Sequence, residues 1–176
     1  MDFDQTSVIK AKHHQRVFEK HYKKWIKPVY RYIRYRVNTD KEAEDLTSQV
    51  FLKVYEQLPG YAEKGRFPAW LFTIVRNQMT DYFRTDRQDI PLENLHLTAG
   101  KDNLLDHATR KEDLIRLRRL IRALPEPKLE LIRLRFVAQL TYREIATITD
   151  STREAVRKQT VRLLAHLKDQ MEEDHA

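Results

Sequence analysis

The sequence contains no cysteine and only three glycines. Without cysteine there are no disulfides, no thiolate metal sites and no cysteine nucleophile, which fits a reducing compartment. So few glycines leave no phosphate-cradling loop. No apolar run approaches the ~20 residues that span a bilayer. The opening MDFDQTSVIKAKHH has no apolar core of the kind a signal peptide needs. A soluble, cytoplasmic chain without membrane insertion is therefore expected. Catalytic groups are equally sparse. Seven histidines are scattered, and the nearest set, His13, His14 and His21, lacks the i,i+4 spacing of a helical metal pair. No nucleophile has an evident base partner, and Glu44 and Asp45 serve a helix start better than acid–base chemistry. The chain reads as a protein that is not an enzyme and needs no metal or cofactor.

What is present is helix and positive charge. Leu, Arg, Lys and Glu abound, while period-two alternation is rare, so helix should dominate. The net charge of +7 is unevenly placed. Residues 14–87 carry +6 and residues 114–168 carry +8, whereas 88–113 carries −3 and 169–176 carries −4. Two basic blocks flanking an acidic stretch suggest two lobes that face a polyanion.

Along the chain, 1–13 reads as an N-terminal extension and 14–87 as a first helical domain. Phe18, Tyr22, Ile26, Val29, Ile33 and Val37 recur at spacings of three and four. Pro28 should kink or restart that helix. Thr39 and Glu42 form a capping-box pattern, and Ala43, Leu46, Val50, Val54 and Leu58 make the buried stripe of the next helix. Pro68 suits the first turn of a third, whose buried side is Leu71, Ile74, Val75, Met79 and Tyr82/Phe83. Periodicity fades over 88–110, which reads as a flexible acidic linker. A second domain, 111–168, begins with LIRLRRLIRAL, breaks at Pro125 and Pro127, and continues through KLELIRLRFV. An acidic tail, 169–176, follows.

The most informative stretch is LTYREIATITDSTREAVRKQTVRLLAHL, 140–167. Thr141 with Glu144, and Ser151 with Glu154, mark two helix starts with almost no room between them. Ile145, Ala146 and Ile148 give the first helix its apolar side; Val156, Thr160, Leu163, Leu164 and Leu167 give the second its stripe. Arg153, Arg157, Lys158 and Arg162 share the opposite side, with Gln159 at its edge. A helix-turn-helix places such a face in the major groove, where Arg forks onto guanine and Gln onto adenine. A solvated basic face on an ordinary helical hairpin is the competing reading.

Two further segments stand out. The connection 61–70 gathers Tyr61, Lys64, Arg66, Phe67 and Trp70, with Arg76 and Asn77 about two turns on. Rings stack on unpaired bases, Arg holds phosphate and Asn reads a base edge, although Phe67 and Trp70 also suit plain core anchors. The face of Glu42, Asp45 and Gln49 within EAEDLTSQVF suits docking onto a basic partner helix, or is simply solvated.

Taken in order, these segments resemble the extracytoplasmic-function (ECF) group of bacterial sigma factors. The resemblance covers roughly residues 15–168. FEKHYKKWIKPVYRYIRYRV, EAEDLTSQVFLKVYEQLPGY and FPAWLFTIVRNQMTDYFR are similar to the family's first domain. LPEPKLELIRLRFVAQLTYREIATITDSTREAVRKQTVRLLAHL is similar to its second. The resemblance implies an all-α, two-domain initiation factor. Glu42, Asp45, Leu46, Gln49 and Phe51 would dock on the clamp coiled coil of core RNA polymerase. Tyr61, Lys64, Arg66, Phe67, Arg76 and Asn77 would capture unpaired bases of the promoter −10 element. Arg153, Glu154, Arg157, Lys158, Gln159 and Arg162 would read the −35 element as duplex. The linker would thread toward the RNA exit path, and an anti-sigma factor is the implied regulatory partner.

The chain departs from the family at two places. Ser48 and Gln49 stand where the family usually has Gln and an acidic residue, and Thr149-Asp150-Ser151 stand where it often has Leu-Gly-Ile. Asp tolerates the left-handed conformation that Gly adopts freely, so the turn should survive while the domain loses apolar contact. The alternatives are a stand-alone helix-turn-helix regulator of duplex DNA and a sigma-like protein that occupies polymerase without starting transcription.

Overall fold

The computed structural model describes residues 5–61, 66–85 and 104–173. Every regular element among them is helical. The chain divides into two units, Met1–Ile90 and Pro91–Ala176.

In the first unit, α1 (Gln5–Arg34), α2 (Asp40–Gln57) and α3 (Phe67–Thr85) pack on one another. Helix α1 begins at Gln5, so most of the segment read as an extension over 1–13 belongs to a helix of 30 residues. It also runs through Pro28 without restarting. The hydrogen bond that proline forfeits is offset by burial: Trp25, Val29, Tyr32, Ile33 and Val37 lie in the core. The ring edges of Trp25 and Tyr32 meet Phe72 of α3 at 6.2 and 5.5 Å, in the edge-to-face geometry aromatic quadrupoles favour. Tyr22, by contrast, is exposed at the edge of the expected stripe.

The turn into α2 is held from both sides. The Arg34 guanidinium reaches Asp40 in the first turn of α2. The Thr39 hydroxyl accepts from the Glu42 amide at 3.1 Å, and the Glu42 carboxylate accepts from the Thr39 and Asn38 amides at 2.9 and 3.0 Å. This is the expected capping box. Ala43, Leu46, Val50, Val54 and Leu58 are all buried, as their spacing predicts.

The second unit comprises α4 (Leu104–Arg122), α5 (Glu126–Ile132), α6 (Tyr142–Ile148) and α7 (Arg153–Glu173). Helix α4 starts inside the stretch read as linker, and α7 continues through most of the acidic tail. Beyond Ile132 the chain widens into one π turn, Arg133–Val137, closed by the Ala138 amide on the Arg133 carbonyl at 2.9 Å. Gln139, at φ 60°, reverses the backbone. The Arg135 guanidinium donates to the Leu140 carbonyl at 2.9 Å and lies 4.8 Å from the Tyr142 ring, tying this turn to the start of α6. Buried Arg133 is paired with Glu126 at 2.6 Å.

Helix α6 opens on the expected Thr141–Glu144 box. It closes with Asp150 at φ 49° and a bond from the Ser151 amide to the Ala146 carbonyl of 2.9 Å, the six-to-one bond of a Schellman ending. Because the Ser151 amide completes that ending, α7 starts one residue later than the Ser151–Glu154 pattern implies. Its cap is Thr152, whose hydroxyl accepts from the Ala155 amide at 3.1 Å. Val156, Thr160, Leu163 and Leu167 are buried, but Leu164 is 43% exposed. The stripe is narrower than expected, and Thr160 is satisfied by donating to the Val156 carbonyl at 2.8 Å.

Two outcomes follow from these termini. Burial alone would raise the Glu42 pKa, but the hydrogen bonds from Thr39, Asn38 and Tyr82 outweigh it, and the carboxyl sits below its ordinary 4.5. A depressed pKa contributes stability above the unfolded value and loses it as pH falls through the folded one. Glu42→Ala should therefore cost about 1 kcal/mol at pH 7, with the gap from wild type narrowing below about pH 4.5. Urea unfolding followed by tryptophan fluorescence measures it, since Trp25 and Trp70 both lie in the first unit. In the second unit, Asp150→Gly should relieve the left-handed strain and stabilise by about 0.5–1 kcal/mol. Slower amide exchange across α6 and α7 is the readout.

Candidate nucleic-acid and polymerase interfaces

Helix α7 shows what its register dictates. With Val156, Thr160, Leu163 and Leu167 turned inward, Arg153, Glu154, Arg157, Lys158, Gln159 and Arg162 are all exposed. The cap on Thr152 leaves the first turn of α7 at the surface, where its free amides favour a phosphate. Arg157 and Lys158 follow Glu154 by three and four positions, so the three share one outward ridge.

In the first unit the proposed base-capturing residues separate into two groups. Arg66 and Asn77 are exposed, and Arg76 is half-buried. On α3 the outward ridge continues from half-buried Trp70 through Thr73, Asn77, Thr80 and Arg84. Phe67 is the correction: it is 3% exposed, with its ring stacked 3.6 Å from His21 and 5.4 Å from Trp70. A ring so enclosed is a core anchor and offers no face to a base. Tyr61 is half-buried, with its ring 4.7 Å from Trp70 and 5.7 Å from Phe67. These contacts bring both ends of the 61–67 connection onto one aromatic platform. Lys64 lies outside the described residues.

The α2 face also needs correction. Leu46 and Phe51 are 4% and 3% exposed and both are buried, Phe51 standing edge-on to the Tyr22 ring with centroids 4.8 Å apart. Glu42 is half-buried, and its oxygens are engaged by the cap and by the Tyr82 hydroxyl at 3.3 Å. The surface of α2 is instead Asp45, Ser48, Gln49 and Leu52, spaced three and four apart and all exposed. Leu52 is the apolar member at 59% exposure, and the sequence reading assigns it to neither face. Gln49 accepts from the Gln78 amide of α3 at 2.7 Å. Beside this pair lies a groove of about 360 Å³ lined by Glu42, Asp45, Gln49, Asp81 and Tyr82. With three carboxylates on its walls, the groove suits a cationic partner.

Among the described residues no cluster of three or more His, Asp or Glu is placed to hold a metal ion, and no helix is long and apolar enough to cross a membrane.

Residues 21–88 match Sigma-70 region 2, and residues 114–167 match Sigma-70, region 4. The chain is 32% identical to the ECF RNA polymerase sigma factor BldN of Streptomyces coelicolor, over 85% of this chain and 60% of that protein. It is 30% identical to the RNA polymerase sigma factor SigZ of Bacillus subtilis, over 68% of this chain and 66% of that protein. Against the ECF RNA polymerase sigma factor SigD of Mycobacterium tuberculosis it is 33% identical, over 81% of this chain and 71% of that protein. The chain thus spans 60% and 66% of the first two relatives' length. Its fold is similar to that of CnrH, solved in complex with the cytosolic domain of CnrY, with a TM-score of 0.63 and 22% identity over 91% of this chain and 90% of that one. Two matched regions in family order, joined to the helix-turn-helix ridge of α7 and the outward ridge of α3, place the chain in the ECF group of sigma-70 RNA polymerase sigma factors.

Proposed function

We propose that this chain directs core RNA polymerase to specific promoters and helps to open them. The observation that carries the reading is that each unit displays a polar, nucleic-acid-type ridge on a helix whose opposite side is buried. On α7 the ridge is long, basic and ready for a duplex. On α3 it is amidic and hydroxylic, beside the Tyr61–Trp70 platform and Arg66.

The division of labour follows from those differences. Arg153, Arg157, Lys158 and Arg162 supply the counterion-releasing contacts that make duplex binding tight and salt-sensitive. Arg157, Gln159 and Glu154 offer the donor and acceptor patterns that tell base pairs apart in the major groove. Asn77, with Arg66, Arg76 and Tyr61, would hold bases that have left the stack. That contact offsets the few kcal/mol each unstacked step costs. Asp45, Gln49 and Leu52, with the acidic groove beside them, form the surface on which a basic helix of core polymerase would dock. Glu42 acts there through the capping box that sets the helix. An inhibitory protein partner of the anti-sigma type would act by covering these same surfaces; the CnrH relative is itself bound by another protein's cytosolic domain.

The decisive experiment is co-elution of the full chain with bacterial core polymerase, followed by transcription from fragmented genomic DNA. Stable binding with discrete new start sites supports the proposal. Binding without transcripts points to a polymerase-occupying protein. Duplex binding by the chain alone, without polymerase, points to a stand-alone regulator.

Within the holoenzyme, Arg157→Ala should weaken −35 duplex binding by roughly tenfold or more and leave core polymerase binding unchanged; equal loss of both would remove Arg157 from the duplex. Asn77→Ala should slow promoter opening, followed by permanganate reactivity of unpaired thymines, more than it weakens the closed complex. Unchanged melting would take Asn77 out of the base-capturing site.

A further inference from the structure

One apolar side chain lies in the middle of the outward ridge of α7. Val161 is 52% exposed. It follows Glu154 by seven residues, Arg157 by four and Lys158 by three, so these side chains stand one above another along a single helical face. The buried positions Val156, Thr160, Leu163 and Leu167 lie on the opposite side, so Val161 has no route into the core. Leu164, the other exposed aliphatic of α7, sits at the edge of the buried stripe rather than on the ridge. A lone exposed valine is ordinary on a protein surface. Its register is what separates this one: the homeodomain, a helix-turn-helix variant, reads the major groove through residues spaced i, i+3, i+4 and i+7, and Glu154, Arg157, Lys158 and Val161 have that spacing.

We propose that Val161 selects a thymine in the −35 duplex by packing its methyls against the base's C5-methyl group. The inference rests on the reading of α7 as the duplex-reading helix. Every base pair shows hydrogen-bonding groups in the major groove, but only A·T pairs carry a methyl there. An aliphatic side chain among charged ones therefore reads what the charged ones cannot. Val161 lies about 6 Å along the axis from Arg157, roughly two base-pair steps of the duplex. The selected thymine belongs about that far from the base pair Arg157 contacts. Val161 makes no hydrogen bond through its side chain, so its contribution is discrimination between bases and leaves the salt dependence of binding to its neighbours.

The test is a methyl-deletion cycle on the holoenzyme made with the full chain. The probe is the −35 duplex recovered by start-site mapping, with each thymine replaced in turn by deoxyuridine, which removes only the methyl. At one position the replacement should weaken wild-type binding about fourfold, the worth of one buried methyl-sized group. Val161→Ala should bind the unmodified duplex with a comparable loss and be indifferent to deoxyuridine at that position. The proposal is overturned if no thymine is sensitive, or if wild type and V161A are equally sensitive. It is also overturned if V161A loses affinity for core polymerase instead, which would make Val161 part of a protein-docking surface. Arg157→Ala in the same assay separates the two levels. If it leaves duplex binding intact, the duplex-reading role of α7 fails with it; if it weakens binding while the methyl cycle shows no coupling, only the role of Val161 fails.

Discussion

A threonine hydroxyl that accepts the backbone amide three residues on starts each of the helices that carry the proposed α2 docking face and the helix-turn-helix. Thr39 does so for α2, Thr141 for α6 and Thr152 for α7. Such a cap satisfies one of the amides that a helix start leaves without a partner. It also fixes where the helix begins, and so which residues face inward. In a chain without disulfides, nothing covalent sets that register. The cap and the buried stripe set it together, and the exposed face is what remains. A one-residue shift of the start turns every side chain by about 100°, enough to exchange a docking surface for a core. The exposed faces of α2, α6 and α7 are thus consequences of where three threonines stop the preceding turn.

The turn between α6 and α7 shows how little chain is needed to hold that register. Asp150 takes the left-handed conformation, Ser151 closes the end of α6 with its amide, and Thr152 opens α7 with its hydroxyl. Each of the three residues has a separate task and none is spare. The side chains of Thr149 and Ser151 are exposed, so the apolar contact that often accompanies such an ending is absent. What holds α7 against its unit is the remaining stripe, from Val156 to Leu167, together with the Arg116 guanidinium of α4, which donates to the Gln170 carbonyl at 3.3 Å.

This also explains how much of the molecule was legible in the sequence. The α2 stripe of Ala43, Leu46, Val50, Val54 and Leu58 is legible because apolar residues at helical spacing share one face, whereas Thr47 and Phe51, buried beside it, fall outside that pattern. The capping boxes at Thr39 and Thr141 and the left-handed Asp150 were legible for a similar reason, since each is a local pattern with one physical solution. The α7 cap was misplaced by one residue because Ser151 and Thr152 are both good caps. Only the backbone bond from Ser151 to Ala146 decides between them, and no pattern of side chains reveals it. Leu46, Phe51 and Phe67 were assigned to surfaces because the family resemblance marks segments, whereas burial is decided residue by residue. Leu164 shows the converse error: it belongs to the α7 stripe by spacing yet is 43% exposed, because its angle to the other buried residues puts it at the stripe's edge.

The two ridges differ in what limits them. On α7 the proposed attraction to a duplex would be Coulombic and long-ranged, speeding encounter and weakening with salt. On α3 the proposed contact would come from stacking and amide hydrogen bonds, with Arg66 and Arg76 beside them, and would act once bases are unpaired. In the proposed holoenzyme the first would precede the second, since stacking on the α3 platform needs a base that has left the duplex. Neither ridge has to be strong alone. If polymerase holds both units beside the same promoter, the second contact forms at the effective concentration set by that tether. A weak α3 site is then an advantage: a face that bound unpaired bases tightly would hold the polymerase at the start site after initiation. Selectivity can reside in a few uncharged groups, while charge brings the duplex to them.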